Sequence, residues 1–481
     1  MRILFASSEA VPLIKTGGLA DVAGSLPTVL AGMGLDVRIL LPGYLDVLDQ
    51  LEEVREVARL ALEDADASLL EIALPGSGVT TWLLRHPLFS ERAGNPYHDE
   101  QGQPWADNAE RFMLLSRAAV TIACGDSELD WEADVLHCND WHTGPAIALA
   151  HQRTQRPRTV FTIHNLAHMG MFDRATFERL SLPEHFWSGQ SMEFYDQLCF
   201  IKGGLSHADW ITTVSPTYAE EICRSPGGMG LEGLLSHRQD RLRGILNGID
   251  ETVWNPSTDP LLVQTYDRDN LPLKRANKTA LLQELGLDGA EDALLFGFVG
   301  RLAQQKGVEL LLPLLDELLR SPCRLVVLGT GDAQLEQALA QLADRHPGSA
   351  AVILAYNETL AHRIEAAADV FLMPSLFEPC GLNQMYSLRY GTLPLVRSVG
   401  GLADTVTHAS EANIAAQRAT GFVFTEPDSQ ALWQALQCAL QLWRDPVAWQ
   451  QVQRTAMAQD FSWQRSAQSY LSLYGLEKKV E

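Results

Sequence analysis

Cations are scarce in this 481-residue sequence: 37 Lys and Arg stand against 60 Asp and Glu, a formal net charge of -23. A surface of that sign excludes nonspecific nucleic-acid binding, which needs a basic face. An anionic ligand must be held where a few Lys and Arg converge. Cysteine is also sparse. The seven cysteines are irregularly spaced and form no CxxC, which argues against a disulfide framework and for reduced thiols. No apolar run approaches the ~20 residues needed to span a bilayer. The N-terminus, MRILFASSEA, has one Arg and a short apolar run broken by Glu9. It reads as a first strand and not as a signal peptide. A cytoplasmic location, with no membrane partner, is expected. Short-period repeats and low-complexity tracts are lacking.

What is present is a repeating rhythm of strand, loop and helix. The length exceeds one compact core, and 46% hydrophobic content suits two globular domains. Residues 2–7 read as a strand. After Gly17 and Gly18, Leu19, Val22, Leu26, Val29 and Met33 follow at helical spacing, with Pro27 predicting a kink or an early stop. DVRILL (36–41), DVLHC, RTVFTIHN and WITTVS continue the series. The rhythm restarts with strands at 294–299, 324–328, 352–354, 370–373 and 393–396, and a helix over 308–319. Such alternation predicts two doubly wound α/β halves built on parallel sheets. The segment 246–260, LNGIDETVWNPSTDP, is the expected hinge, and the glycine-rich 224–233 is expected to be flexible. Near the end, Trp463, Ala467, Tyr470, Leu471 and Tyr474 share one helical face that must pack on something. In open α/β sheets, ligands sit beyond the carboxyl ends of the strands, so a cleft between two such domains is the expected site.

Four constellations lie after strands. In Lys15-Thr16-Gly17-Gly18, the glycines let backbone N–H groups approach an anion and Lys15 adds charge. The pattern is neither GxGxxG nor a Walker loop, although an ordinary βα turn could carry the same residues. Arg301 and Lys306 place two cations where a diphosphate could bind, or where a basic turn is merely solvated. Glu378, in Phe377-Glu378-Pro379-Cys380-Gly381-Leu382, suits sugar hydroxyls beside backbone N–H groups, or the macrodipole of the next helix. His137, Asp140, Trp141, His142 and His164 allow a zinc reading without a third or fourth ligand at metal-like spacing. They also allow a sugar wall of ring plus carboxylate. Asp64-Ala65-Asp66 has an Asp-X-Asp look, and Tyr195-Asp196 could touch a ligand or simply pack.

The ordered set KTGGLADV (from Lys15), GNPYHD (Gly94), NDWH (Asn139), HN (His164), VSPTYA (Val214), LNGID (Leu246), RL-x3-KG (Arg301), FEPCGL (Phe377) and GGLADTV (Gly400) resembles the glycogen and starch synthases. These are retaining glycosyltransferases of the GT-B fold, and the resemblance spans the whole chain. It implies two Rossmann-like domains facing across a cleft. Residues 1–246, completed by a helix within 461–481, would form the acceptor side, and 247–460 the donor side. The implied donor is a nucleotide-glucose and the acceptor an α-1,4-glucan, with no cofactor and no metal. Lys15, Arg301 and Lys306 should hold the diphosphate, with Gly18 lending its N–H. Tyr356 should lie against the base, and Glu378 should take the glucose hydroxyls beside Cys380, Gly381 and Leu382. Asp21, Asn247 and Lys278 fall at further donor positions. His164 should face the developing cationic carbon. Tyr97, His98, Asp140, Trp141 and His142 should line the acceptor side. Eight positions after Glu378, many retaining GT-B enzymes carry a second Glu; here Tyr386 stands, as in glycogen synthases. The start at Met1, without a transit peptide or starch-binding module, favours a bacterial enzyme and hence ADP-glucose over UDP-glucose. Another GT-B enzyme, such as an epimerase or a transferase to a non-glucan acceptor, and a catalytically silent glucan-binding protein remain as alternatives. Because the implied diphosphate ligands are cationic side chains, transfer should survive exhaustive chelation. Inactivity that Mg²⁺ or Mn²⁺ reverses would contradict this.

Overall fold

The computed structural model describes residues 1–62, 65–99, 101–289 and 293–476. The chain divides into two units. One comprises residues 1–248 with the helix Trp463–Tyr474, and the other Ile249–Ser462. Both crossings fall two residues beyond the boundaries expected at 246 and 460.

In the first unit, short apolar runs become strands: β1 (Arg2–Ala6), β2 (Asp36–Pro42), β3 (Arg55–Leu62), β4 (Ala65–Ala73), β5 (Thr80–Arg85), β6 (Val135–Asn139), β7 (Arg158–Ile163), β8 (Met171–Phe172), β9 (Glu193–Phe194), β10 (Gln197–Cys199), β11 (Trp210–Thr213) and β12 (Leu242–Gly244). Nine of them form one sheet in the order β12-β11-β7-β6-β1-β2-β5-β4-β3. It is parallel from β12 to β5 and antiparallel over β4 and β3. The central strands are buried on both faces, as a parallel sheet under helices requires. Ile3, Leu4, Phe5 and Ala6 have no exposed surface. β8, β10 and β9 form a separate small antiparallel sheet.

The helix Gly18–Gly32 runs through Pro27 without the expected stop. The buried face formed by Leu19, Val22, Leu26 and Leu30 outweighs one missing backbone donor. The terminal helix also packs on this unit. Trp463, Ala467, Tyr470 and Tyr474 are buried, whereas Leu471 lies at the edge. The Tyr474 hydroxyl meets His137 Nδ1 at 2.8 Å, and Ser466 Oγ donates to the Leu246 carbonyl at 2.6 Å. Both His137 nitrogens are occupied, since Nε2 meets Thr162 at 2.7 Å. The histidine serves packing, not a metal. Of Asp64-Ala65-Asp66, Asp64 lies outside the described residues. Asp66 is in β4 opposite Ala61, in a hairpin.

The second unit has six parallel strands: β13 (Leu294–Val299), β14 (Cys323–Leu328), β15 (Ala350–Ile353), β16 (Val370–Met373), β17 (Leu393–Arg397) and β18 (Phe422–Phe424). Their order is β15-β14-β13-β16-β17-β18. Helices such as Val308–Leu318 and Glu358–Ala367 cross between them. Lys278 requires a correction here. Its ammonium is buried against Asp369 Oδ2 at 2.6 Å and the Ala293 carbonyl at 2.6 Å. Asp369 and Ala293 precede β16 and β13, so Lys278 lies at the amino ends of the strands, opposite the ligand end. It locks the helix Lys274–Glu284 to the sheet and is not placed to touch a donor. Lys278→Ala strands a buried carboxylate and should destabilise this unit by about 3–5 kcal/mol, read as a lower melting temperature. An unchanged melting curve with weakened donor binding would restore the donor role.

Candidate active site

At the carboxyl end of β1 the chain turns through Ser7, Ser8 and Glu9. Glu9 is buried, and its carboxylate accepts the Thr16 hydroxyl at 2.9 Å, the Thr16 N–H at 2.5 Å and the Gly17 N–H at 3.3 Å. The Tyr97 hydroxyl donates to the same carboxylate at 3.0 Å and meets Ser8 Oγ at 2.8 Å. One acid therefore ties the Lys15–Gly18 turn to Tyr97, with burial pushing its pKa up against the pull of these donors. Lys15 Nζ pairs with Asp21 Oδ1 at 2.8 Å near the surface. His98 follows Tyr97 in the loop and has its N–H on Asn95 at 3.3 Å.

The loop after β6 supplies the next group. Asp140 is buried and held at φ 57°, ψ -179°, a conformation that costs a non-glycine residue about 1–3 kcal/mol. The strained backbone lets its carboxylate accept the N–H of His164 at 2.7 Å and of Asn165 at 3.4 Å, just beyond β7. Burial raises the Asp140 pKa to about 7, although both hydrogen bonds pull it down. The His164 ring meets Asn139 Oδ1 at 3.0 Å, and burial lowers its pKa to about 3, so the ring is neutral. Trp141 and His142 lie ring to ring at 4.1 Å, and Tyr97 stacks on His142 at 4.7 Å. His142 Nδ1 is buried without a hydrogen-bond partner among the described residues. Gly170, at φ 65°, is required beside this wall, because a Cβ would lie 2.3 Å from the Trp141 ring. The first unit thus gathers Tyr97, Asp140, Trp141, His142 and His164. Asn247 is also buried, and its amide oxygen has no partner among the described residues.

In the second unit, Arg301 and Lys306 follow β13, and Glu378 follows β16. Lys306 Nζ pairs with Glu378 Oε2 at 2.6 Å, and Ser375 Oγ donates to the same oxygen at 3.0 Å. Glu378 is buried, whereas Arg301 is exposed. Gln384 Nε2 donates to the carbonyls of Cys380 and Gly381, both at 2.9 Å, fixing the loop before the helix Asn383–Arg389. Leu382 is the residue before that helix. Tyr356 stands 79% exposed beyond β15. Tyr386 stacks on Trp254 at 3.8 Å and is a packing residue. Among the described residues no group of three or more His, Cys, Asp or Glu could hold a metal ion, and no helix is long and apolar enough to cross a membrane.

Sequence reasoning missed Glu9 and Ser375. Glu9 had a signal, as a carboxylate directly after the first strand. Ser375 had none beyond its position after β16.

Comparison with known proteins fits this geometry. Residues 2–237 match the family model for the starch synthase catalytic domain, and residues 286–455 that for glycosyl transferases group 1. Glycogen synthase 1 of Methylococcus capsulatus is 51% identical over 474 residues, 98% of this chain and 96% of that protein. The glycogen synthase of Cellvibrio japonicus is also 51% identical, covering 98% of each. The catalytic domain of starch synthase IV from Arabidopsis thaliana, solved with ADP and acarbose, matches with a TM-score of 0.89 at 31% identity over 98% of both chains. Two parallel α/β units with these groups at their strand ends define a glycosyltransferase of the GT-B class. The chain belongs to the glycogen and starch synthase family.

The raised pKa of Asp140 has a consequence for stability. The folded chain binds this proton more tightly than the unfolded chain, whose carboxyl titrates near 3.8. The linked stabilisation is complete below that value and is lost as pH rises through about 7. Glu9 shifts in the same direction. Asp140→Asn should flatten the fall in melting temperature across this window. A slope equal to wild type would mean that Asp140 does not titrate there.

Proposed function

We propose that the chain transfers glucose from ADP-glucose to the non-reducing end of an α-1,4-glucan, with retention of configuration. The observation that carries this reading is Glu378, a buried carboxylate paired with Lys306 at the carboxyl end of a nucleotide-binding-type sheet. Such a group accepts sugar hydroxyls while its cationic neighbour faces a diphosphate. The ADP bound to the Arabidopsis relative supports an adenine nucleotide as the leaving group.

In this mechanism Lys15, Arg301 and Lys306 stabilise the departing diphosphate as positive charge develops at the anomeric carbon. Gly18 lends its N–H, and Asp21 holds Lys15 in place. Tyr356 covers the base, and the loop from Glu378 to Leu382 holds the glucose and phosphate. The His164 ring is committed to Asn139, which leaves its backbone carbonyl to face the cationic centre. Asn247 completes the sugar contacts. Tyr97, His98, Asp140, Trp141 and His142 hold the acceptor, whose 4-hydroxyl attacks from the face that ADP leaves. No covalent glucosyl-enzyme is invoked. The setting is cytoplasmic, with neither membrane nor nucleic acid as partner. A catalytically silent glucan-binding protein is disfavoured, because Lys15, Arg301 and Glu378 are all present.

Incubation with ADP-glucose and glycogen tests the reading. ADP release matched by α-1,4 chain growth supports it, and release without chain growth contradicts it. Lys15→Ala and Glu378→Ala should each lower turnover by ~10²–10³ with an unchanged fold by circular dichroism. Near-wild-type turnover in either variant removes that residue from the mechanism.

A further inference from the structure

The small β8-β10-β9 sheet ends in an exposed tip that the proposed mechanism leaves unused. β9 and β10 are joined by two residues, Tyr195 and Asp196, at φ 50° and 59°. A turn with both central residues left-handed normally takes Asn-Gly or Asp-Gly, because a Cβ is disfavoured there. Here the first position carries a large aromatic ring, 79% exposed. Met229, also left-handed at φ 50°, is 47% exposed, and its neighbour Gly230 abuts the rings of Phe194 and Tyr195. Three of the six left-handed non-glycine residues among the described residues thus lie in this turn and beside the glycine that abuts it.

The tip is also fixed from beneath. The buried Lys202 ammonium donates to the carbonyls of Gly189, at 2.8 Å, and Glu193. Glu193 Oε1 in turn accepts the Asp196 N–H at 2.8 Å. Phe194 meets Tyr195 edge-on at 4.7 Å and supports the ring from the side. These bonds fix the backbone of the turn, which limits the ordering cost of binding. The carboxylates of Glu193 and Glu232 lie on the N–H groups of Asp196 and Gly230, at 2.8 and 2.7 Å, next to the ring in the chain and in space, and Asp196 follows the ring in the turn. An open ring face bordered by hydrogen-bond acceptors suits a neutral ligand rich in hydroxyl donors. It does not suit an anion.

The same sheet backs the acceptor wall. Phe172 of β8 lies 6.1 Å from Trp141 and 4.9 Å from Phe200, which itself lies 6.4 Å from Trp141. We propose that Tyr195, with Asp196 beside it, is a glucan-binding platform that engages glucose units of the acceptor remote from its reacting end. This rests on the acceptor being an α-glucan, as proposed above. The ring stacks on a sugar face, and the Asp196 carboxylate accepts its hydroxyls.

Affinity electrophoresis in gels containing glycogen, without donor, reads this binding apart from catalysis. Tyr195→Ala should weaken glycogen retention about tenfold, the equivalent of one good ring contact. Tyr195→Trp should retain it. In kinetics, Tyr195→Ala should raise the half-saturating glycogen concentration while leaving kcat and the ADP-glucose KM unchanged. Wild-type retention by a Tyr195→Ala protein of unchanged melting temperature would overturn the platform and leave the proposed activity standing. A change in sedimentation with no change in retention would assign the patch to self-association and overturn it equally. A wild-type protein that neither binds glycogen nor extends it would overturn both readings.

Discussion

The pair between Lys306 and Glu378 is the constraint on which the carboxyl end of the second sheet depends. A buried carboxylate without a partner costs several kcal/mol, so the turn after β13 and the loop after β16 must meet. They meet because a glycine stands at the closest point: Gly307 has φ 66°, and a Cβ there would lie 2.0 Å from the Pro374 carbonyl. The segment after β17 closes on the same loop, since a Cβ on Gly400, at φ 43°, would lie 2.0 Å from the Glu378 carbonyl. The Leu376 N–H adds a bond to the Gln305 carbonyl at 2.8 Å, joining the same two segments. A cation and an acid are thereby held side by side before any ligand arrives, which is what transition-state stabilisation by preset charges requires.

The first unit solves the same problem without an ion pair. Glu9 and Asp140 are buried acids satisfied mainly by backbone N–H groups and hydroxyls, and both pKa values rise. Both shape backbone: Glu9 sets the Lys15–Gly18 turn, and Asp140 sets the path of His164 and Asn165. Each does so immediately after a strand, where parallel sheets leave loops converging.

Much of this was legible in the sequence. Leu294–Val299 and Val370–Met373 were read as strands at their observed limits, because a fully buried parallel strand is a continuous apolar run. The Lys15, Arg301 and Glu378 motifs stood out because cations, glycines and a lone acid follow such runs. The β3–β4 hairpin was passed over, since its burial alternates and its outer face is charged. Lys278 is matched to a donor position by the resemblance alone, which does not tell which end of the sheet a helix residue reaches. Glu9 was read only as the end of an apolar run, and its contact with Tyr97, 88 positions away, has no local signature.

In the proposed mechanism the pair divides its labour: Lys306 serves the diphosphate, and Glu378 serves the sugar. Calorimetric titration of the intact protein with ADP and with ADP-glucose separates these roles. Lys306→Ala should weaken ADP binding. Glu378→Gln should leave ADP affinity equal or tighter, because it frees the ammonium, and should erase the difference between ADP and ADP-glucose. Equal weakening of ADP by both substitutions would mean that the pair is only a structural tie, and would contradict the account.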